Sequence, residues 1–538
     1  MTDEEVRYRA QVAIVGGGPV GTALSIELAR RGVTSVVVER HAHPQRVPKG
    51  QNLTQRTMEH FRNWGAEEQL RAARTMDADQ PAAGMTIHGT LLSEYHYPWM
   101  QRERVGAFYA TANERLPQYA TEAVLRERLA SFEEAVMLTE WTAEDVEQHA
   151  DGATVQMTSR SGQTGVVHAD YVVGCDGSRS RIRDAAGITQ TRADHDRLMV
   201  LLVFRSAQFE EIMRRHPGVA FVNVLSPELA GYWQFFGRVD ARDTWFFHAP
   251  VDSASTAETV DVPAVLERAI GMRIDDVETD YLGFWDLRFT LADRYRAGRV
   301  FVAGDAAHSH PPYGGYGINS GFEDVANLGW KLAATLQEWG GDSLLDSYDL
   351  ERRPVFASTR DDFIASSIQR DGEFLAAHDP GVDRARFEAA WRAREEDAQA
   401  EPGAFEPHYE GSPIVPGSKG TPSALGRHEM RARPGHHLGP AVTADGRELF
   451  AALGGGFALL TERPEDAAAF VAEARRLGIP LQVIEVGPTE MARFEADLVL
   501  VRPDQFVAWA GSSAEAEAKA GAVLRSATGQ GAAALATP

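Results

Sequence analysis

The chain has 538 residues, enough for two or three domains, and 43% of them are hydrophobic, which suits a folded protein with a large core. Its net charge of −23 argues against nucleic acid or an anionic membrane face as partner, since both are met by basic surface. Cys175 is the single cysteine, which excludes an internal disulfide, a thiolate metal cluster and a dithiol redox pair. No run of about eighteen apolar residues offers a membrane span, and the acidic start MTDEEVRYRAQ is no signal peptide, so the expected setting is cytoplasmic.

Residues 11–16 (QVAIVG) and 35–39 (SVVVE) are β-branched runs of the buried parallel-strand type. Between them, 19–32 has helical spacing, with Leu24, Leu28 and Ala29 on one face and Gly32 as a stop, completing a βαβ unit. A helix is predicted over 120–132, and buried strands over 169–174 and 299–304, so this domain is assembled from non-adjacent segments. Segments 198–206, 231–239 and 244–251 are rich in aromatics and separated by turns, which predicts inserted antiparallel strands. Residues 380–430, rich in Pro, Gly and charge, read as a connector. Past about 432, strands at 456–460, 480–485 and 497–501 with helices at 464–477 and 513–525 predict a small α/β module.

Gly16-x-Gly18-x-x-Gly21 sits between the first strand and helix. The first glycine permits a tight turn. The second lets backbone amides approach a pyrophosphate, and the third lets helix and strand pack closely with the helix N-terminus toward the phosphates. Glu39, eighteen residues after Gly21, ends the second strand where an acid accepts both hydroxyls of an unphosphorylated ribose. This order reads as dinucleotide binding, of FAD or NAD. Gly174-Cys175-Asp176-Gly177 is either a ligand-facing acid at a strand's C-terminal end or a turn that caps the next helix. In 299–331 (RVFVAGDAAHSHPPYGGYGINSGFEDVANLGWK), Asp305 is placed to hold a ribitol hydroxyl. Gly314, Gly315 and Gly317 free the backbone to approach a flat ring, and a helix from about Asn319 aims its positive end at an anionic ring atom. Read alone, the same stretch is equally a strand–loop–helix connection.

Together these segments resemble the class A flavoprotein aromatic hydroxylases, the para-hydroxybenzoate hydroxylase superfamily. The stretch GGYGINSGFEDVANLGWKLA and residues 347–355 (SYDLERRPV) are similar to its phenol-hydroxylase-like branch, and the C-terminal part with 500–510 is similar to that branch's thioredoxin-like appendage. The resemblance implies an α/β architecture: a Rossmann-like FAD-binding domain (1–80, 105–190 and 290–380), an inserted antiparallel-sheet substrate domain (81–104 and 191–289), a linker (381–431) and a thioredoxin-like domain (432–538). It implies FAD contacts from Gly16, Gly18, Pro19, Val20, Gly21, Glu39, Arg40, Lys49, Gln118, Asp176, Asp305, Pro312, Gly315, Gly317, Ile318 and Asn319. His308 belongs to the same motif and is expected to pack structurally.

The reaction implied is an FAD-dependent monooxygenation in which NADPH or NADH reduces the flavin. O2 adds at C4a, and the hydroperoxide passes one oxygen to a small aromatic, phenolic ring. The substrate is expected between the inserted sheet and the flavin, near Tyr232, Gln234, Trp285, Arg288 and Tyr313, with Trp233, Phe235 and Phe247 as further wall candidates. His248 is the expected proton acceptor, and Pro312 faces the ring. Alternation puts Tyr232, Gln234 and Phe236 on one face of their strand and Trp233 and Phe235 on the other, without saying which looks at the flavin. Arg288 either binds a substrate carboxylate or pairs with an acid such as Asp286. No metal is expected, and a homodimer is left open. Epoxidation, dehydrogenation, halogenation or a non-enzymatic flavin-binding role are the alternatives. The Trp-x-Trp-x-Ile-Pro segment of related halogenases is absent from the sequence.

Overall fold

A computed structural model of the protein describes residues 5–76 and 83–531. The expected domain edge between 80 and 81, and the last residues of the C-terminal module, lie outside these. Strands Val6–Val15, Ser35–Glu39, Ala135–Thr139, Thr164–Gly174 and Val300–Val302 form the parallel core of an eight-stranded sheet, with Thr164–Gly174 and Ser35–Glu39 flanking the first strand. Val12, Ile14 and Val37 are fully buried, as strands covered on both faces by helices require. The helix Pro19–Ala29 packs on this sheet, and the long helix Tyr316–Leu336 packs against it; Leu24, Leu28, Phe322 and Leu328 share one core.

The second eight-stranded sheet is the inserted one. Gln190–Arg205 is its spine, paired antiparallel to Thr244–Val251 on one side and Glu278–Ala292 on the other. Gln234–Arg238 and Val219–Leu225 extend it. The strand Ala83–His88 joins Val219–Leu225 in parallel, so one rung departs from the expected antiparallel pattern. The C-terminal module is a four-stranded sheet in which Phe457–Thr461 pairs parallel to Leu481–Glu485 and antiparallel to Leu498–Val501, with Ala468–Leu477 and Ser513–Ala527 packed together on it.

Two expectations change in detail. The 380–430 segment contains the helix Arg384–Ala404, which seats Phe387 and Trp391 against Tyr97, Leu225 and Phe374. Its Ala, Arg and Glu residues are strong helix formers, and averaging them with the Pro- and Gly-rich stretch that follows hides the helix. The helix expected from Asn319 starts at Tyr316, because Gly315 takes the left-handed conformation (φ 68°) and ends the preceding turn one residue earlier.

The C-terminal module meets the rest of the chain through an apolar contact, Trp330 and Trp339 against Phe457, and through buried charge. Arg502 spans Glu351 (Nη1–Oε1 2.6 Å, Nη2–Oε2 2.9 Å) and Asp504 (Nε–Oδ1 2.9 Å), and Lys331 Nζ reaches Glu351 at 2.7 Å. The Arg502, Lys331 and Glu351 side chains have no exposed surface. Arg56 adds a bond to the Asp504 carbonyl at 2.6 Å and ion pairs with Glu323 and Glu59. Among the described residues, no helix is long and apolar enough to cross a membrane.

Candidate active site

The parallel strands end at one cleft of about 520 Å³, lined by residues at or just past their C-terminal ends: Val15, Glu39, Cys175 and Ala303. This is where an open α/β sheet places a ligand. Gly16 turns the chain there with φ 105°, and a side chain on it would lie 2.3 Å from the Cys175 carbonyl oxygen. The helix Pro19–Ala29 starts at Gly18 with no side-chain cap and no acid in its first turn. Its positive end therefore faces the cleft unneutralised. A Cβ on Gly18 would meet no protein atom within 4 Å, so this edge of the backbone is open. Pro19 and Val20 border the same space, whereas Gly21 packs against the Gly16 carbonyl.

Glu39 is buried; Oε2 accepts the Gly17 N–H and Oε1 the His41 N–H, both at 2.7 Å. Arg40 and Lys49 line the cleft beside it. From the helix Gln118–Leu129, Gln118, Glu122 and Arg126 reach the cleft at four-residue spacing. Gln118 Nε2 donates to Glu122 Oε1 at 2.7 Å, and Arg126 donates to the Gly17 carbonyl at 3.3 Å. Burial pushes the Glu122 carboxyl up. Of the three, only Gln118 is expected from the resemblance; the i, i+4, i+8 repeat is the signal in the sequence for the other two.

Asp176 borders the cleft and also caps a helix, accepting Ser180 Oγ at 2.5 Å and the N–H groups of Arg181 at 2.8 Å and Ile182 at 3.3 Å. The Asp-Gly turn thus caps the next helix while its acid stays at the edge of the cleft. Asp305 is open to the cleft but closed in by protein beyond it; that enclosure raises its carboxyl, while His308 and Lys49 pull it down. His308 itself is locked to Asp324 at 2.6 Å in a buried set with Arg352.

Pro312, Gly315, Gly317 and Ile318 form the opposite wall, where the second helix N-terminus, again without a side-chain cap, meets the cleft. Asn319 turns away from it and pins the loop: Nδ2 donates to the carbonyls of Gly315 (2.6 Å) and Asn52 (2.8 Å), and Oδ1 accepts from Thr57 Oγ1 (2.6 Å) and Thr54 N–H (2.9 Å). His310 donates Nδ1–H to the Pro311 carbonyl, keeps Nε2 unpartnered, and is held neutral by burial, with its pKa drawn down to about 4. Tyr313 is buried between Trp99 and Trp233, ring centroids 5.4 and 5.1 Å away.

The register of the inserted sheet decides its faces. Phe235 pairs with Asn223 on one side and His248 on the other. This face, with Leu201, Phe246 and Trp285, turns toward Val47, which itself lines the cleft. Phe236, Phe247 and Trp245 lie on the reverse face under the helices Ala207–Met213 and Val262–Ile270. Gln234 pairs with Val224 on that covered side, so it is not brought to the cleft. Tyr232 lies under the Arg197 guanidinium, 4.8 Å from its ring centroid, and Arg288 pairs with Asp286 at 2.5 Å. His248 is buried, stacked on Phe235 at 4.9 Å, with Nδ1 unpartnered; burial alone draws its pKa down to about 3. Two residues absent from the sequence reading share this face. Asn223 stands alone among apolar residues in its strand, a signal that was legible. Arg115, in the two-residue strand Glu114–Arg115, carried none.

Residues 9–362 match the family described as FAD binding domain, and residues 431–531 the family described as aromatic-ring hydroxylase, C-terminal. The chain belongs to the FAD-binding aromatic-ring hydroxylase family. It is 31% identical to a 4-methyl-5-nitrocatechol 5-monooxygenase from Burkholderia sp, over 93% of each chain. It is 28% identical to a tetracenomycin A2 monooxygenase-dioxygenase from Streptomyces glaucescens, over 95% of this chain and 94% of that one. Among solved structures, the flavin-dependent monooxygenase PieE, in complex with FAD and substrate, superposes with a TM-score of 0.84 at 26% identity, covering 97% of this chain and 99% of that one. The protein is therefore an FAD-dependent aromatic monooxygenase, as residues 299–331 with Gly16–Gly21 led the sequence reading to expect.

Proposed function

We propose that the protein hydroxylates a phenolic ring, free or part of a polycyclic polyketide-like scaffold, using O2 and NADPH or NADH. One observation carries this reading: two uncapped helix N-termini, at Gly18 and Gly315, open on one cleft whose outer wall continues into the aromatic face of the inserted sheet. The residues fit FAD. Gly16 makes the tight turn, Gly18 leaves a backbone edge bare for a pyrophosphate, and Glu39 stands where adenosine ribose hydroxyls donate. Gln118, Asp305 and Lys49 face the span between the two helix ends. Gly315, Gly317 and Ile318 offer backbone to a flat ring. FAD, when bound, supplies the electron storage and the oxygen activation that side chains lack.

The chain's own residues do the rest. Phe235, Phe246 and Trp285 form an apolar wall that orients a ring and keeps water out. His248, neutral and with a free Nδ1, accepts a hydrogen bond from a phenol hydroxyl. A base that weak positions the proton and does not carry it away. Pro312 and the pinned Asn319 fix the loop against which the ring lies. The test is a panel of phenols and hydroxylated polycycles offered to the FAD-loaded enzyme. Substrate-stimulated NAD(P)H oxidation, oxygen uptake and a hydroxylated product in matching amounts are expected. A chain that cannot be loaded with FAD would overturn the reading.

A further inference from the structure

Every other fully buried arginine described above has an acid: Arg56 meets Glu59 and Glu323, Arg352 meets Asp324, and Arg502 meets Glu351 and Asp504. Arg115 has none among the described residues. It is 4% exposed, its Nε has no hydrogen-bond partner, and its guanidinium lies 5.9 Å from the Phe221 ring centroid. Burial, and after it the neighbouring cation Arg238, which is itself paired with Glu210, draw the Arg115 pKa down to about 9; Glu114 Oε1 accepts only the Arg115 backbone N–H, at 3.0 Å. A terminal nitrogen sits 3.2 Å from where a Cβ on Gly237 would project. Phe221 pairs with Gly237, and the next rung on the same face pairs Asn223 with Phe235, which pairs in turn with His248. Asn223 is 2% exposed with Oδ1 unpartnered, and His248 is 7% exposed with Nδ1 unpartnered. Three buried polar groups without partners thus share two rungs of the face that turns toward the cleft. Strand rise and spacing put the Gly237 and His248 backbones roughly 8 Å apart.

Buried polar groups are ordinarily satisfied, and an unsatisfied set on one wall marks the outline of something that binds there. We propose that Arg115 is the anion-binding residue of the substrate site and selects an aromatic bearing a carboxylate. Asn223 Oδ1 would accept a hydrogen bond from one hydroxyl and His248 Nδ1 a hydrogen bond from the phenol of the same molecule. The planar fork of arginine matches a carboxylate with two parallel hydrogen bonds, and among the described residues no acid side chain pairs with it. The inference rests on the hydroxylase reading, because it places the ring against Phe235 and Trp285.

The test uses FAD-loaded enzyme, with hydroxybenzoates and hydroxynaphthoates as probes, each paired with its methyl ester. Binding is read from the flavin absorbance change and turnover from coupled NAD(P)H oxidation. The wild type should prefer acids over esters. R115Q should weaken acid binding roughly ten- to hundred-fold while leaving ester binding within about twofold, erasing the preference. R115K should keep part of it. FAD occupancy should stay at the wild-type level in both variants. Without substrate, R115Q should melt no lower than the wild type, because it removes an uncompensated buried charge. Equal weakening of acid and ester, a wild type with no acid preference, or a substrate-free R115Q that melts several degrees lower would each overturn the proposal. If neither acids nor esters stimulate oxidation in the wild type, the hydroxylase reading has failed. The melting comparison still judges Arg115 in that case.

Discussion

Gly18 offers a clean separation of folding from cofactor binding. Its backbone sits at φ −72°, ψ −171°, a conformation open to any L-residue, and a Cβ there would touch no protein atom within 4 Å. Gly18→Ala should therefore be tolerated by the FAD-free chain. Restricting the unfolded backbone contributes ~0.4–1 kcal/mol of stability, and the poorer helix start of Ala relative to Gly costs about as much. The net change in apoprotein stability should stay within about 1 kcal/mol. With FAD the outcome differs. A methyl group pressed between the helix start and a pyrophosphate overpacks the contact at about 1–3 kcal/mol. That raises the FAD Kd roughly 5- to 150-fold. The measurement pairs a melting curve of deflavinated protein with an FAD titration followed by fluorescence quenching. Gly21→Ala serves as the opposite control, since its Cβ would lie 1.9 Å from the Gly16 carbonyl oxygen and should damage both fold and binding. An FAD affinity for Gly18→Ala within twofold of wild type would refute the placement of the phosphates at this turn.

Two further outcomes follow from buried charge. His248 and His310 are held neutral, their pKa values drawn from 6.5 down to about 3 and about 4. Below pH 6.5 the unfolded chain takes up protons that these folded side chains refuse, so stability falls as pH falls, by about 1.4 kcal/mol per pH unit for each. Urea unfolding followed down to about pH 4.5 should show this slope, and His248→Gln should remove one histidine's share; an unchanged slope would sink the assignment. Arg502→Met strands Glu351 and Asp504 without their shared cation at a site with no solvent access, and should cost about 3–5 kcal/mol. The check is urea unfolding followed by the fluorescence of Trp330, whose indole donates to Asp504. A loss under about 1 kcal/mol would mean that water or relaxation relieves the charges.

The flavin half of the site was legible because its signals are local. Gly16, Gly18 and Glu39 fall in one βαβ unit, and their spacing alone fixes which backbone meets the cleft. The substrate half was not. Whether Phe235 or Phe236 looks inward depends on the ladder that pairs Phe235 with His248, and a strand's alternation is the same from either side. Gln234 fell on the covered face for that reason. Arg115 was invisible because its meaning lies in what is missing around it. Likewise, nothing local marks Arg502, since its partner Glu351 is 151 residues away. The helix Arg384–Ala404 was lost to averaging, although Phe387 and Trp391 stand one turn apart within it.

The junction around Arg502 has an implication for how such a chain can be rearranged. A module attached through apolar or surface-polar contacts alone can be traded between relatives like a cassette. Here a cut near residue 431 would leave Lys331 and Glu351 facing each other without Arg502, and would strip Arg56 of the Asp504 carbonyl; Lys331 sits in the helix Tyr316–Leu336, whose N-terminus meets the cleft. A chimera that exchanges the C-terminal module should inherit a defect in flavin retention unless the donor brings its own cation to that spot. The C-terminal module is, in effect, a keystone rather than an annex.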